Sequence, residues 1–115
     1  MHFDDRLGTV LRLRADGAAL QRVQLRQLVD LLGTMPVEAR GEQIDAAYAR
    51  LAALAQSIPP AERAAMLGDP ALRLRSPRLV AALAEGEDDV ARAALVRADL
   101  TEEQWLDLVP ALPPS

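Results

Sequence analysis

The densest group of side chains capable of chemistry is acidic: Glu85, Glu87, Asp88 and Asp89 fall within one short run. Carboxylates at that density can hold a hard cation. A calcium loop also needs alternating oxygen ligands and a closing Glu, and this run lacks both. Negative charge at a helix start accounts for the cluster, because the helix dipole favours it there. His2 is the only histidine, it lies at a chain end, and no Glu-x-x-His accompanies it. A metal site or a catalytic triad needs partners that it does not have. There is no cysteine, so thiolate ligands and disulfides are excluded. Neither GxGxxG nor GxxxxGK[ST] occurs, so no phosphate cradle is visible. No carboxylate pair is marked by apolar surroundings for acid–base work. The sequence therefore reads as a chain with no catalytic residue, no cofactor and no metal.

Charge narrows the partners. The 115 residues carry a formal net charge of −4, and all 13 basic residues are arginine. Arg12, Arg14, Arg22 and Arg26 come nearest to a basic stripe, but Asp4, Asp5, Asp16 and Asp30 lie beside them. A nucleic-acid binder shows a net basic face, so a solvated helix face is the preferred reading and nucleic acid is not expected. The start, MHFDDRLGTV, is charged from its fourth residue and is not a signal peptide. No apolar run reaches the roughly 18–20 residues of a membrane span. The expected location is the cytoplasm.

Helices must position whatever site exists. Ala and Leu dominate, both are strong helix formers, and nothing alternates with period two for long. Phe3, Leu7, Val10 and Leu11 have helical spacing. Asp16 is a plausible cap for a helix showing Leu20, Leu25, Leu28, Val29 and Leu32 and stopping at Gly33. Pro36 suits the first turn of a third helix that restarts near Gly41. Its amphipathic half shows Ile44, Ala47, Tyr48, Leu51, Leu54 and Ile58, and Pro59-Pro60 ends it. AERAAML is a short helix ending at Gly68, and residues 69–75 read as a loop. Ser76-Pro77 caps and opens a helix that turns Leu79, Val80 and Leu83 inward and stops at Gly86. Asp88 and Arg92 are placed as an i,i+4 pair on a helix carrying Val90, Ala94 and Leu95.

The last helix has the fullest start signal. Thr101 and Gln104 are spaced as a capping box, and Leu100 and Trp105 as a hydrophobic staple. The helix is expected to show Trp105, Leu106, Leu108, Val109 and Leu112 to a partner surface. Seven short helices result, expected to stack as HEAT-like hairpins or as an irregular helical bundle. A weak internal echo aligns Ser57-Ile58-Pro59 with Asp99-Leu100-Thr101 at an offset of 42 residues, inside the roughly 40–47 residue period of HEAT-type repeats. Residues 1–109 read as one all-α domain and residues 110–115 as a Pro-rich tail that starts a linker.

The C-terminal half, from about Pro59, carries a resemblance. SPRLVAALAEGEDDVARAALVRADLTEEQWLDLVPALPPS resembles the HEAT-like helical segment of an uncharacterised bacterial family. Its landmarks here are Ser76-Pro77, the acidic stretch at 85–89, Ala98-Asp99-Leu100 and the Thr101–Gln104 pair. The run from Trp105 to Pro110 is similar to the N-terminal region of certain PAS-containing bacterial sensor histidine kinases. The resemblance implies a non-catalytic regulatory domain of such a kinase, contacting the kinase's other domains or a protein partner. The kinase's phosphoacceptor histidine motif and ATP-binding glycine box are absent from this chain. The alternative is a stand-alone helical adaptor with Tyr48 and Trp105 as aromatic anchors, since such residues are enriched in binding hot spots. A DNA-binding regulator is the third reading. Exposed leucines would also allow a homodimer.

Overall fold

Helices form where the apolar spacing places them, and one close backbone contact joins two of their connecting regions. The computed structural model describes residues 2–13, 17–36 and 39–111, with side chains described from Arg6 to Pro110. Among them lie seven α-helices and a final 3-10 turn. α1 (His2–Leu11) buries Leu7 and Val10. α2 (Ala18–Thr34) begins after Gly17, whose φ of +100° suits glycine; the expected cap, Asp16, lies outside the described residues. The inward face of α2 starts only at Gln24. Leu20 lies one turn earlier on the same stripe and stays 50% exposed.

Gly33 does not stop α2, as its type suggests; the helix runs through it to Thr34. Gly33 is buried beneath the segment 73–75, and the Arg75 N–H donates to its carbonyl at 2.9 Å. A Cβ at this position would collide with the backbone carbonyl of Arg73. The glycine is there for close approach and not for a cap.

α3 (Glu42–Ser57) begins after Gly41, at φ +129°. Pro36 does not open this helix: it lies outside the described helices, and its carbonyl accepts from Ala39 N–H at 3.0 Å. Ile44, Ala47, Leu51 and Leu54 are buried on one stripe, as the 3.6-residue period dictates. Ile58 is extended before proline, and α4 (Pro60–Leu67) starts at once.

Residues 69–75 form the expected loop, but its Leu72 and Leu74 belong to the core. Leu74 makes an isolated parallel bridge with Ala98, and its carbonyl accepts from Asp99 N–H at 2.8 Å. α5 (Pro77–Ala84) is capped by Ser76, whose Oγ accepts from Leu79 N–H at 3.3 Å. Leu79 and Val80 are fully buried, and Leu83 is half-buried. On α6 (Asp88–Arg97), Arg92 reaches Asp89 at 3.9 Å, one position from the expected Asp88. Both side chains are largely exposed, so the pair contributes little. α7 (Glu102–Leu108) is followed by the 3-10 turn Val109–Ala111. Pro110 thus continues this last element, and residues 112–115 lie outside the described residues.

The result is an all-α bundle with one continuous core. α1, α2 and α3 pack on one another, α6 lies against α4 and α5, and α5 also meets α2 and α7. The radius of gyration is 13.4 Å, close to the roughly 13 Å of a compact chain this long. Gln24 links the first three helices from inside. It is fully buried, its Nε2 donates to the Val10 carbonyl at 3.0 Å, and its Oε1 accepts from Arg50 Nε at 2.9 Å. Satisfying a buried amide this way avoids a desolvation cost of about 1–3 kcal/mol. Among the described residues no helix is long and apolar enough to cross a membrane.

Candidate functional site

The face around Trp105 is built by its helix cap. Thr101 Oγ1 accepts from Gln104 N–H at 3.1 Å, and Gln104 Oε1 accepts from Thr101 N–H at 2.9 Å. This reciprocal box sets where α7 begins and therefore which residues point inward. Leu108 is buried, while Leu100 and Trp105 are half-buried and pack against the core. Trp105 is thus mainly an anchor for α7. Leu106 and Val109 point the other way and are 70% and 57% exposed. They are three positions apart, so they lie on one side of the helix and its continuing turn. Leu112, expected on the same surface, lies outside the described residues.

Tyr48, the second expected anchor, sits half-buried on α3 facing the start of α5. Its hydroxyl lies 3.5 Å from Ser76 Oγ, and the Arg78 guanidinium stacks 4.0 Å from its ring centroid. Asp45 holds Arg78 in place at 3.1 Å. A cation over an exposed aromatic face is worth about 0.5–1 kcal/mol. Burial raises the Tyr48 pKa above its ordinary 10.0, partly offset by Ser76 and Arg78. Tyr48 is the only tyrosine, so phenolate absorbance reads it alone. Its titration midpoint is expected above 10.0 in the folded protein and at the ordinary value in denaturant. A raised phenol favours folding below the ordinary value, and that contribution is lost as pH rises through the folded value.

Tyr48 also lines a cavity of about 250 Å³ between α3, α4, α5 and α6. Leu51, Met66, Leu83 and Val90 supply apolar wall, and Arg63 supplies charge. Arg63 is 7% exposed. Its Nε donates to the Ile58 carbonyl at 2.8 Å, and one Nη pairs with Glu87 at 2.9 Å. One arginine thereby ties the α3–α4 turn to the α5–α6 turn. Sequence reading did not single it out, although it lies one helical turn before the buried Leu67, a position that must face inward.

Glu87 is held below its ordinary carboxyl value of 4.5, first by a hydrogen bond from its own backbone N–H, which outweighs the opposing desolvation, with Arg63 adding to the lowering. A lowered carboxyl stabilises the fold above its unfolded pKa, and that stabilisation is lost as pH falls through the folded value. Thermal midpoints followed from neutral pH to below 4.5 are therefore expected to fall more steeply for the parent protein than for Glu87→Gln.

Several of the remaining charged groups pair with one another. Arg22 pairs with Glu62 and Arg26 with Asp69, both at 2.8 Å, so half of the four-arginine stripe on and before α2 is neutralised by α4 and the loop that follows it. Glu85, Glu87, Asp88 and Asp89 are all exposed. Among the described residues no group of three or more His, Cys, Asp or Glu is placed to hold a metal. No protein-family model, curated protein or solved structure matches this chain.

Proposed function

We propose that this chain is a non-catalytic, protein-interacting regulatory domain, and that it serves a bacterial two-component sensor histidine kinase. The observation that carries the interaction reading is the exposed Leu106–Val109 side of α7 and its 3-10 turn, held in fixed orientation by the capping box and the buried Leu108. Two apolar side chains presented on a rigid helix end suit a contact with another helical module. The kinase assignment rests on the resemblance alone. Its landmarks coincide with real joints of the bundle: the Ser76-Pro77 helix start, the acidic turn before α6 and the box at Thr101.

The first test is the reading frame past Ser115. Continuation into a PAS domain and a kinase core permits deletion of residues 1–115 from the full-length kinase. Changed control of autophosphorylation supports the assignment, and unchanged control overturns it. A frame that stops there removes the kinase assignment and leaves the adaptor reading. Leu106→Glu with Val109→Glu then tests the contact face. The double variant is expected to fold normally and to lose partner capture; a protein that still captures its partner overturns α7 as the interface.

A further inference from the structure

The cavity between α3, α4, α5 and α6 has features that core packing does not need. Arg63 is nearly buried, yet one of its nitrogens stays open to water: among the described residues the fully buried side-chain nitrogen without a partner is Arg97 Nε. Arg63 spends two of its three nitrogens, on the Ile58 carbonyl and on Glu87. Nη1 has no hydrogen-bond partner among the described residues, and it lies 3.7 Å from where a Cβ on Gly86 would stand. Glycine keeps that nitrogen uncovered beside the cavity mouth. Ala52, Ala55 and Ala82 line the space with the smallest side chains a helix favours, leaving the volume unfilled.

The geometry points to a binding site for a small, uncharged, largely apolar molecule that carries one carbonyl-type acceptor. The acceptor takes a hydrogen bond from Arg63 Nη1, and the apolar body rests against Leu51, Met66, Leu83 and Val90. Size fits, since an apolar cavity of about 150 Å³ holds benzene and this one offers about 250 Å³. Charge selects the neutral form. Glu87 already balances the Arg63 charge, and Glu85 lines the same cavity, so an anionic ligand meets a net negative surround. A purely apolar ligand displaces water from Nη1 without replacing its hydrogen bond. This site stands apart from the α7 face and does not depend on its role.

The test compares three probes of one shape on the intact protein: acetophenone, ethylbenzene and benzoate. Methyl NMR signals of Met66, Leu83 and Val90 report occupancy. Acetophenone is expected to give saturable shifts at these methyls, with ethylbenzene and benzoate at least about tenfold weaker, the difference one charged hydrogen bond makes. Ala82→Leu and, separately, Ala55→Leu fill the space from two sides and are expected to abolish the shifts while the helical spectrum is retained. Absence of saturable shifts with acetophenone overturns the site. Ethylbenzene binding as tightly as acetophenone overturns the role of Arg63, benzoate binding more tightly overturns the choice of a neutral ligand, and undiminished binding in both folded filling variants overturns the location.

Discussion

Gly33→Ala is expected to destabilise the protein by about 2 kcal/mol, although alanine is the better helix former. The propensity gain is at most about 1 kcal/mol and is smaller at a helix end. Against it stands overpacking, typically about 1–3 kcal/mol and more where the obstacle is backbone. Here the obstacle is the carbonyl of Arg73, which no side-chain rotation moves aside. Relief requires the segment 73–75 to lift, which weakens the Arg75 N–H bond to the Gly33 carbonyl and strains the Leu74–Ala98 bridge. At about 4 °C per kcal/mol for a chain of this size, the thermal midpoint should drop by roughly 8 °C. Gly33→Val should cost more. A variant as stable as the parent would show that the segment yields freely and that the contact is incidental.

Arg63→Met is expected to cost about 3 kcal/mol, the second large effect. Methionine keeps most of the apolar stem and removes the guanidinium. The main loss is at the carbonyl of buried Ile58, where a charged donor at 2.8 Å disappears. Hydrogen bonds to charged groups contribute about 1.5–3 kcal/mol, and an orphaned buried acceptor adds its own desolvation cost. Arg63→Lys should recover little, because a single ammonium cannot span the Ile58 carbonyl and Glu87 together. Glu87→Gln provides the contrast: that side chain is 52% exposed and the arginine partner 8%, so its loss at neutral pH should be far smaller. Urea unfolding of the three variants separates the contributions. Equal losses for Arg63→Met and Glu87→Gln would assign the effect to the ion pair instead of the carbonyl.

The helices were legible because each is announced locally. Ser76-Pro77, Pro59-Pro60 and the Thr101–Gln104 box each mark a boundary the structure keeps within a residue or so. The stripe from Ile44 to Ile58 is inward as its period demands. The failures share a different cause. Gly33 reads as a stop when only its sequence neighbours are considered; the strand of chain that needs it arrives from residues 73–75. Gln24 and Arg63 are polar, so a search for apolar stripes passes over them, yet each occupies an inward position of its helix. The spacing to Leu28 and Leu67, one helical turn on, was the available signal. The Asp88–Arg92 spacing was sound and the pairing still went to Asp89, since exposed ion pairs are too weak to be specified by spacing. Of the two anchors, Trp105 and Tyr48, both proved half-buried, and the more accessible apolar surface passed to Leu106 and Val109.

The meeting of Gly33, Leu74 and Ala98 has a consequence for how the chain acquires its shape. Three stretches distant in sequence share one short ladder: Arg75 N–H to Gly33 and Asp99 N–H to Leu74. The ladder cannot exist until the first helices and the last helices have found each other. Local helices form fast, but closing those long loops is the slow, entropically costly event. The ladder is therefore expected to be among the last contacts to form, a seam that joins the first helices to the last once each group has packed.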